Sequence, residues 1–227
     1  MGLFESLFGH KDPQRLYDQA LELIDRDNYS KAARLLEKVI RLNPNSAPCH
    51  FTAGFCYSRM GGEKGVSESV VAQHLEKSAK YFRIAVELAD EQGGLDNNQI
   101  GKACFGVGTY YQYKKDWENS IKYLERTISL CPEMLDTQLL LSTSYHHKGD
   151  HKKALQLAEE CLNKEPTNER VQQHWKALCE EQGSEPYSKL PEEKKMEIYK
   201  DLKEEIDSVF LLGTSLMSDF RRQVLTQ

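Results

Sequence analysis

The stretch KKDWENSIKYLERTISLCPE, Lys114 to Glu133, contains a pattern that returns 34 residues later. Ser120, Leu124 and Thr127 fall on one stripe of a helix, and a proline ends that helix. The matching pairs are Trp117 with His151, Ser120 with Ala154, Leu124 with Ala158, Thr127 with Cys161, and Pro132 with Pro166. A pattern that returns at a fixed period predicts a structural unit used more than once.

The segment just before this stretch, CFGVGTYYQY, has helical spacing of its own. Gly108 in this segment lets a neighbouring helix approach closely, and Tyr111 fills the space beside it. Lys114–Asp116 is then the turn of a helix–turn–helix unit. Related units begin near Asp12, Ala47 and Leu139, whereas alternating strand patterns are nearly absent.

At these residues the sequence resembles the tetratricopeptide-repeat (TPR) family, whose units are antiparallel helix pairs of 34 residues. The resemblance covers roughly residues 12–183. It implies an all-α, right-handed superhelical solenoid of four helix pairs with a capping helix. The sequence departs from the family at His151, which replaces the usual aromatic residue, and in the second unit, which lacks its closing proline. The predicted ranges are about 12–45, 46–94, 98–133 and 134–167 for the units and 168–183 for the capping helix.

The second unit is longer than the others. Gly108 and Ser120 are 12 residues apart, whereas the corresponding Gly54 and Ser78 are 24 apart, so 12 residues are added inside this pair. A length of 12 residues equals about three helical turns. The sequence therefore predicts an extended second helix from about Ser67 to Ala89.

Three further segments flank the repeats. Residues 1–11 form a short amphipathic segment, and Gly2 fits an acceptor pattern for N-myristoylation, with docking of the apolar side chains on a protein as the alternative. Residues 184–191 are predicted as a linker. Residues 192–227 are predicted as a C-terminal helical extension, because apolar residues from Tyr199 to Phe220 follow heptad spacing. This helix could fold back on the repeats, pair with a second copy or bind a different protein.

The candidate site is the groove that the TPR resemblance implies. In TPR proteins the first helix of each pair lines a concave groove that holds a peptide or a helix. Several aromatic residues at these positions lie off the predicted core stripes, which favours an apolar groove for an amphipathic helix, with ordinary interhelix packing as the alternative. The transferred positions are Tyr17, Leu21, Phe51, Phe55, Arg59, Lys102, Phe105, Thr109, Tyr113, Leu139, Thr143, His146 and His147.

Motifs of enzymes are missing, since neither a phosphate-binding glycine loop nor a nucleophile elbow occurs. His146, His147, Asp150 and His151 form the best candidate for a metal site. No Cys or Glu is placed to complete a tetrahedral set, so we interpret these residues as the end of one helix and the start of the next. We therefore predict no catalytic residue, no metal and no cofactor.

Composition limits the classes of function. A net charge of −5 gives no support to nucleic-acid binding. Six scattered cysteines without a C-x-x-C pair favour reduced thiols and a cytoplasmic location. The sequence thus predicts a non-catalytic adaptor that binds a helix or extended peptide of another protein. The alternative is a peripheral membrane-associated assembly factor tethered by its N-terminus, and self-association through the C-terminal helix is a further contact that the pattern allows.

Overall fold

The computed structural model describes residues 12–62 and 67–183, and helices account for nearly all of these ranges. Within them no residue forms a β-strand. The predictions for residues 1–11, with Gly2, for the linker 184–191 and for the extension 192–227 lie outside the described residues. The helices are α1 (Pro13–Asp25), α2 (Tyr29–Leu42), α3 (Ala47–Gly61), α4 (Glu68–Gln92), α5 (Asn97–Tyr113), α6 (Trp117–Leu130), α7 (Leu135–Lys148), α8 (His151–Lys164) and α9 (Glu169–Gly183).

The chain divides into two compact units between Asp96 and Asn97. In unit 1, α1 pairs with α2 and α3 pairs with α4, and α2 also packs on α3. In unit 2, α5 pairs with α6 and α7 with α8, while α6 also packs on α7 and α9 packs on α8. The sequence did not indicate this division, because the repeat pattern continues on both sides of it.

The turns inside the pairs share one design. Asn28, Asp116 and Asp150 precede α2, α6 and α8, and each side chain accepts a hydrogen bond from the third backbone N–H of its helix. Such a cap satisfies a donor that the first helical turn leaves without a partner. The residue before the cap is left-handed in each turn, at φ 57° for Lys115 and 93° for Gly149. Short polar turns therefore fix where each second helix begins.

Close contact between the paired helices depends on glycine. A Cβ atom at Gly54 would lie 2.7 Å from Phe82 Cδ1, and one at Gly108 would lie 2.8 Å from Leu124 Cδ2. Both distances are too short for real carbon atoms, so the missing side chain allows the helices to approach. In the last pair, Ser142 takes this position and donates a hydrogen bond to the Ala154 carbonyl at 2.7 Å.

The second helix of the second pair is extended, and α4 spans 25 residues. The sequence predicts about Ser67 to Ala89, and the observed helix runs from Glu68 to Gln92. Its first buried residue is Leu75, so none of the residues 68–74 is buried. The first two turns of α4 thus reach beyond the part of the helix that packs on α3.

The last helix, α9, covers the end of unit 2. Val171 is fully buried, and Leu178 joins the core cluster that contains Leu141 and Ala158. A side-chain bond between His174 Nε2 and Ser142 Oγ, 2.9 Å long, ties α9 to α7. All six cysteines lie in the described ranges, and none forms a disulfide.

Candidate partner-binding surface

The candidate surface consists of one side of each first helix, which we call its inner side. On α3 this side carries Phe51, Phe55 and Arg59, which are four residues apart and therefore follow one stripe. The corresponding stripe of α5 carries Phe105, Thr109 and Tyr113. The structure thus gives each first helix a continuous row of the predicted residues, and their role in binding stays a prediction.

In unit 1 the predicted aromatic residues are buried rather than open. Phe51 is 1% exposed and its ring lies 5.6 Å from that of Phe82 in α4. Phe55 is 2% exposed and meets the edge of Tyr29 in α2 at 5.9 Å. The expectation that these residues lie off the core is therefore corrected, because a first helix is packed on several sides and one stripe does not exhaust its core contacts.

The remaining positions of unit 1 are less buried. Tyr17 and Leu21 of α1 are half-buried, and so is Arg59 of α3. The hydroxyl of Tyr17 shares a 3.0 Å hydrogen bond with Thr52 Oγ1. Burial raises the pKa of Tyr17. The Arg59 guanidinium lies 5.4 Å from the centre of the Tyr29 ring.

In unit 2 most of the predicted residues are buried as well. Tyr113, at the C-terminal end of α5, is the exception and is 40% exposed. The hydroxyls of Thr109 and Thr143 donate to carbonyls four residues earlier in their own helices. The buried positions are Lys102, Phe105, Thr109, Leu139, Thr143 and His146.

The histidine cluster does not form a metal site in the described part of the chain, where no group of three or more His, Cys, Asp or Glu residues could hold an ion. Instead, His147 stacks on Trp117 with ring centres 4.4 Å apart. His146 Nδ1 and His151 Nδ1 lie 3.2 Å apart and share a hydrogen bond. One of these nitrogens must therefore be an unprotonated acceptor.

An aromatic contact recurs at one position of the inner side. Arg59 lies over Tyr29, and His147 stacks on Trp117. Tyr29 and Trp117 are the first residues of α2 and α6, directly after the capping residues. Each unit thus places a partly exposed cation or imidazole against the aromatic residue that opens the preceding second helix.

A cluster of Glu, Tyr and Lys, which sequence reasoning missed, fastens successive pairs within each unit. In unit 1, Tyr57 Oη donates to Glu37 Oε1 at 2.6 Å and accepts from Lys77 Nζ at 3.2 Å. The Lys77 ammonium also lies 4.7 Å from the centre of the Tyr57 ring. Three helices, α2, α3 and α4, are linked by this one cluster.

Unit 2 has an equivalent cluster. Tyr145 Oη donates to Glu125 Oε1, and Lys153 Nζ donates to Tyr145 Oη. Lys153 and Glu125 also form an ion pair at 3.2 Å, and the ammonium lies 4.1 Å from the centre of the Tyr145 ring. Burial opposes ionisation of Glu125, but the hydrogen bonds from Tyr145 and Lys153 outweigh it and lower its pKa.

The spacing of these residues could have revealed them. In both clusters the glutamate lies 20 residues before the tyrosine. The lysine lies 8 residues after Tyr145 but 20 after Tyr57, and the difference equals the 12 residues added in the second pair. The insertion therefore leaves the contacts between the helices of this pair in register.

Comparison with known proteins gives structural likeness only. No protein-family model and no curated protein matches the sequence. A crystal structure of MamA protein has a TM-score of 0.61 at 17% identity, covering 92% of this chain and 94% of that one. MamA 41-end from Desulfovibrio magneticus RS-1 has a TM-score of 0.58 at 13% identity, covering 93% and 97%. TTC0263, a thermophilic TPR protein in Thermus thermophilus, has a TM-score of 0.48 at 13% identity over 75% and 83% of the two chains.

The fold is of the tetratricopeptide-repeat type. The paired helices, the glycine or serine at each close approach and the capped turns agree with the all-α repeat fold that the sequence predicts. At such low identity the likeness concerns the fold and not the partner. Within residues 12–62 and 67–183, no helix of this TPR fold has the length and apolar character needed to cross a bilayer.

Proposed function

We propose that the protein is a non-catalytic interaction scaffold that holds a helix or an extended segment of another protein against the inner sides of its first helices. The TPR-type fold supports a role in binding proteins. The proposed contact residues are the thirteen transferred positions from Tyr17 to His147. They form rows that alternate large apolar groups with hydroxyls and cations, which suits an amphipathic segment.

The observation that carries this proposal is the repeated position of Arg59, Tyr113 and His147. They occupy equivalent places in α3, α5 and α7, and all three are partly exposed. Arg and aromatic residues dominate the energetics of protein interfaces, because they combine a large contact area with a polar group. Packing on Tyr29 and Trp117 restrains Arg59 and His147, which lowers the entropy that binding must cost.

The same chemistry indicates the kind of partner. Arg59 contributes a positive charge to the inner side of α3, and His147 contributes an imidazole to that of α7. The neighbouring rings offer apolar contact. A partner helix with an apolar stripe bordered by carboxylates would match both features.

Affinity capture with a surface variant tests the proposal. The variant combines Arg59→Ala, Tyr113→Ala and His147→Ala, which remove partly exposed groups and leave the buried phenylalanines in place. Leu42→Ala is the control, since Leu42 is 55% exposed on α2 and lies outside the inner side. Both variants should retain the helical circular dichroism of the wild type.

We expect the triple variant to lose the main protein captured from a lysate of the source organism, and Leu42→Ala to retain it. The captured protein should then bind the purified wild type directly, as measured by calorimetry. Undiminished binding to a folded triple variant would remove the inner side as the partner site.

A further inference from the structure

Helix α7 is enclosed by its neighbours on most of its circumference. Towards α5, Gln112 Nε2 donates to the Leu140 carbonyl and to Ser144 Oγ. Towards α8, Ser142 Oγ donates to the Ala154 carbonyl, and α9 contacts the same serine through its histidine. Contacts on these sides explain why residues such as Ser142 and Ser144 are fully buried.

The inner side of α7 is equally buried, although a binding surface would be expected to be open. Leu139 is 3% exposed, and its neighbours Cys161 and Val171 of α8 and α9 account for part of this burial. Thr143, one turn further on, is 6% exposed, and its hydroxyl donates to the carbonyl of Leu139 within the same helix. His146 at the end of the row is 9% exposed.

The inner side of α5 shows the same property. Lys102, Phe105 and Thr109 are 9%, 8% and 4% exposed. A lysine is rarely buried to this degree unless another group compensates its charge. Values of this size on two adjacent rows are typical of a protein interior, so the inner side of unit 2 is covered.

We propose that the C-terminal segment 192–227 of the same chain covers the inner side of unit 2. This inference rests on the proposed function and adds its regulation, because the segment would compete with an outside partner for the same surface. The competing partner would be an amphipathic helix, as is the segment by its sequence pattern.

Chain length allows this return. The helix α9 ends at Gly183 and packs on α8, so the chain leaves the helical repeats within unit 2 itself. The linker 184–191 can span about 26 Å when extended. Helix α7 has 14 residues and is therefore about 21 Å long. The segment can reach either end of the inner side of α7.

Chemistry matches as well. The segment offers an apolar seam at the steps of three and four residues that a neighbouring helix requires, including Tyr199, Leu202, Ile206 and Val209. Its first half is rich in carboxylates, among them Glu197. The inner side supplies apolar groups from Phe105 and Leu139 and a buried cation from Lys102. An acidic amphipathic helix would bury the seam and compensate that charge.

An intramolecular ligand of this kind sets a threshold for binding. A segment tethered by a short linker has an effective concentration on the order of millimolar. An outside partner must therefore exceed the affinity of the segment before it gains access. The surface is then closed in the isolated protein and opens only to a matching helix.

Photo-crosslinking in the purified full-length protein tests the occupant directly. Tyr113→p-benzoylphenylalanine places the probe on the edge of the inner side at a residue that is 40% exposed. We expect crosslinked peptides from residues 192–227, with a yield that does not change on dilution. Crosslinks to residues 1–11, crosslinks between differently labelled copies, or none to 192–227 would overturn the proposal.

A matched pair of variants then tests the seam. Leu202→Asp with Ile206→Asp places two charges on the apolar seam, and Lys200→Asn with Lys203→Asn makes the same change in net charge beside it. Because the aspartates cannot be desolvated cheaply, the crosslink yield should fall about tenfold or more in the first variant. It should stay near the wild-type value in the second, and equal yields in both would refute the seam.

Partner binding separates this inference from the proposed function. If the segment is the occupant and the inner side binds the partner, the seam variant should bind the captured protein more tightly than the lysine variant. A crosslink to 192–227 without any gain in binding would leave the occupant in place and refute the proposed function. A partner that depends on the inner side, without that crosslink, would do the reverse.

Discussion

Replacing Tyr145 by Phe tests the cluster that joins α6, α7 and α8. The change removes one hydroxyl, which donates to Glu125 and accepts from Lys153, and keeps the ring that lies 4.1 Å from the ammonium. Hydrogen bonds to charged groups contribute about 1.5–3 kcal/mol each when shielded from water. Here the Lys153 and Glu125 side chains are 45% and 47% exposed, so solvent screening reduces this value.

We therefore expect Tyr145→Phe to lower the free energy of unfolding by about 1–1.5 kcal/mol at pH 7. In a unit of this size the melting temperature should fall by roughly 5 °C or more. Urea denaturation followed by circular dichroism measures the first quantity and calorimetry the second. Tyr113→Phe is the control, since its exposed hydroxyl should matter by less than about 0.5 kcal/mol.

The pH dependence of the difference identifies the cause. The folded-state pKa of Glu125 is lowered, mainly because its hydrogen bonds outweigh the effect of burial. The stabilisation is thus fully present above the unfolded-state pKa of about 4.3 and is lost as the pH falls through the lower folded-state value. The gap between wild type and Tyr145→Phe should shrink over this range. A gap that is as large at pH 3 as at pH 7, or a loss equal to that of Tyr113→Phe, would refute the reasoning.

Three further substitutions test the packing and the turns, each by urea denaturation against the wild type. Gly108→Ala should destabilise by about 2 kcal/mol, because the new Cβ would lie 2.8 Å from Leu124 Cδ2, and a change below about 0.5 kcal/mol would contradict the close approach. Gly149→Ala should cost about 1 kcal/mol, since φ is 93° and nothing crowds the site, so a neutral result would point against backbone strain. Asp150→Ala should cost about 1 kcal/mol through loss of the cap on the Lys153 N–H, and Asp150→Asn should restore most of it.

The helix pairs could be predicted because each element is determined locally. The stripes of Ser120, Leu124 and Thr127 are the residues that α6 buries, together with Ile121. Asp116 and Asp150 lie where the second helices begin. The extended α4 followed from counting residues between Gly54 and Ser78. These features depend on contacts that repeat with the sequence, so one chain is enough to detect them.

The surface was harder to predict, because periodicity separates one face of a helix from the rest and no more. Phe51 and Phe55 lie outside the main stripe of α3, yet both pack on rings from neighbouring helices. The cluster around Tyr145 brings together side chains from three helices, and no local pattern marks it. Long-range contacts of this kind become visible only when the helices are placed in space.

The exposed start of α4 has a consequence for local motion. From Glu68 to His74 the helix is held by its own backbone hydrogen bonds, and Ser67 adds no side-chain bond to its first turn. Seven residues without burial are too few to be stable alone as a helix. The amide protons of these turns should therefore exchange with solvent well before those between Ser78 and Ala89, so that α4 opens progressively from its N-terminus while its packed half stays closed.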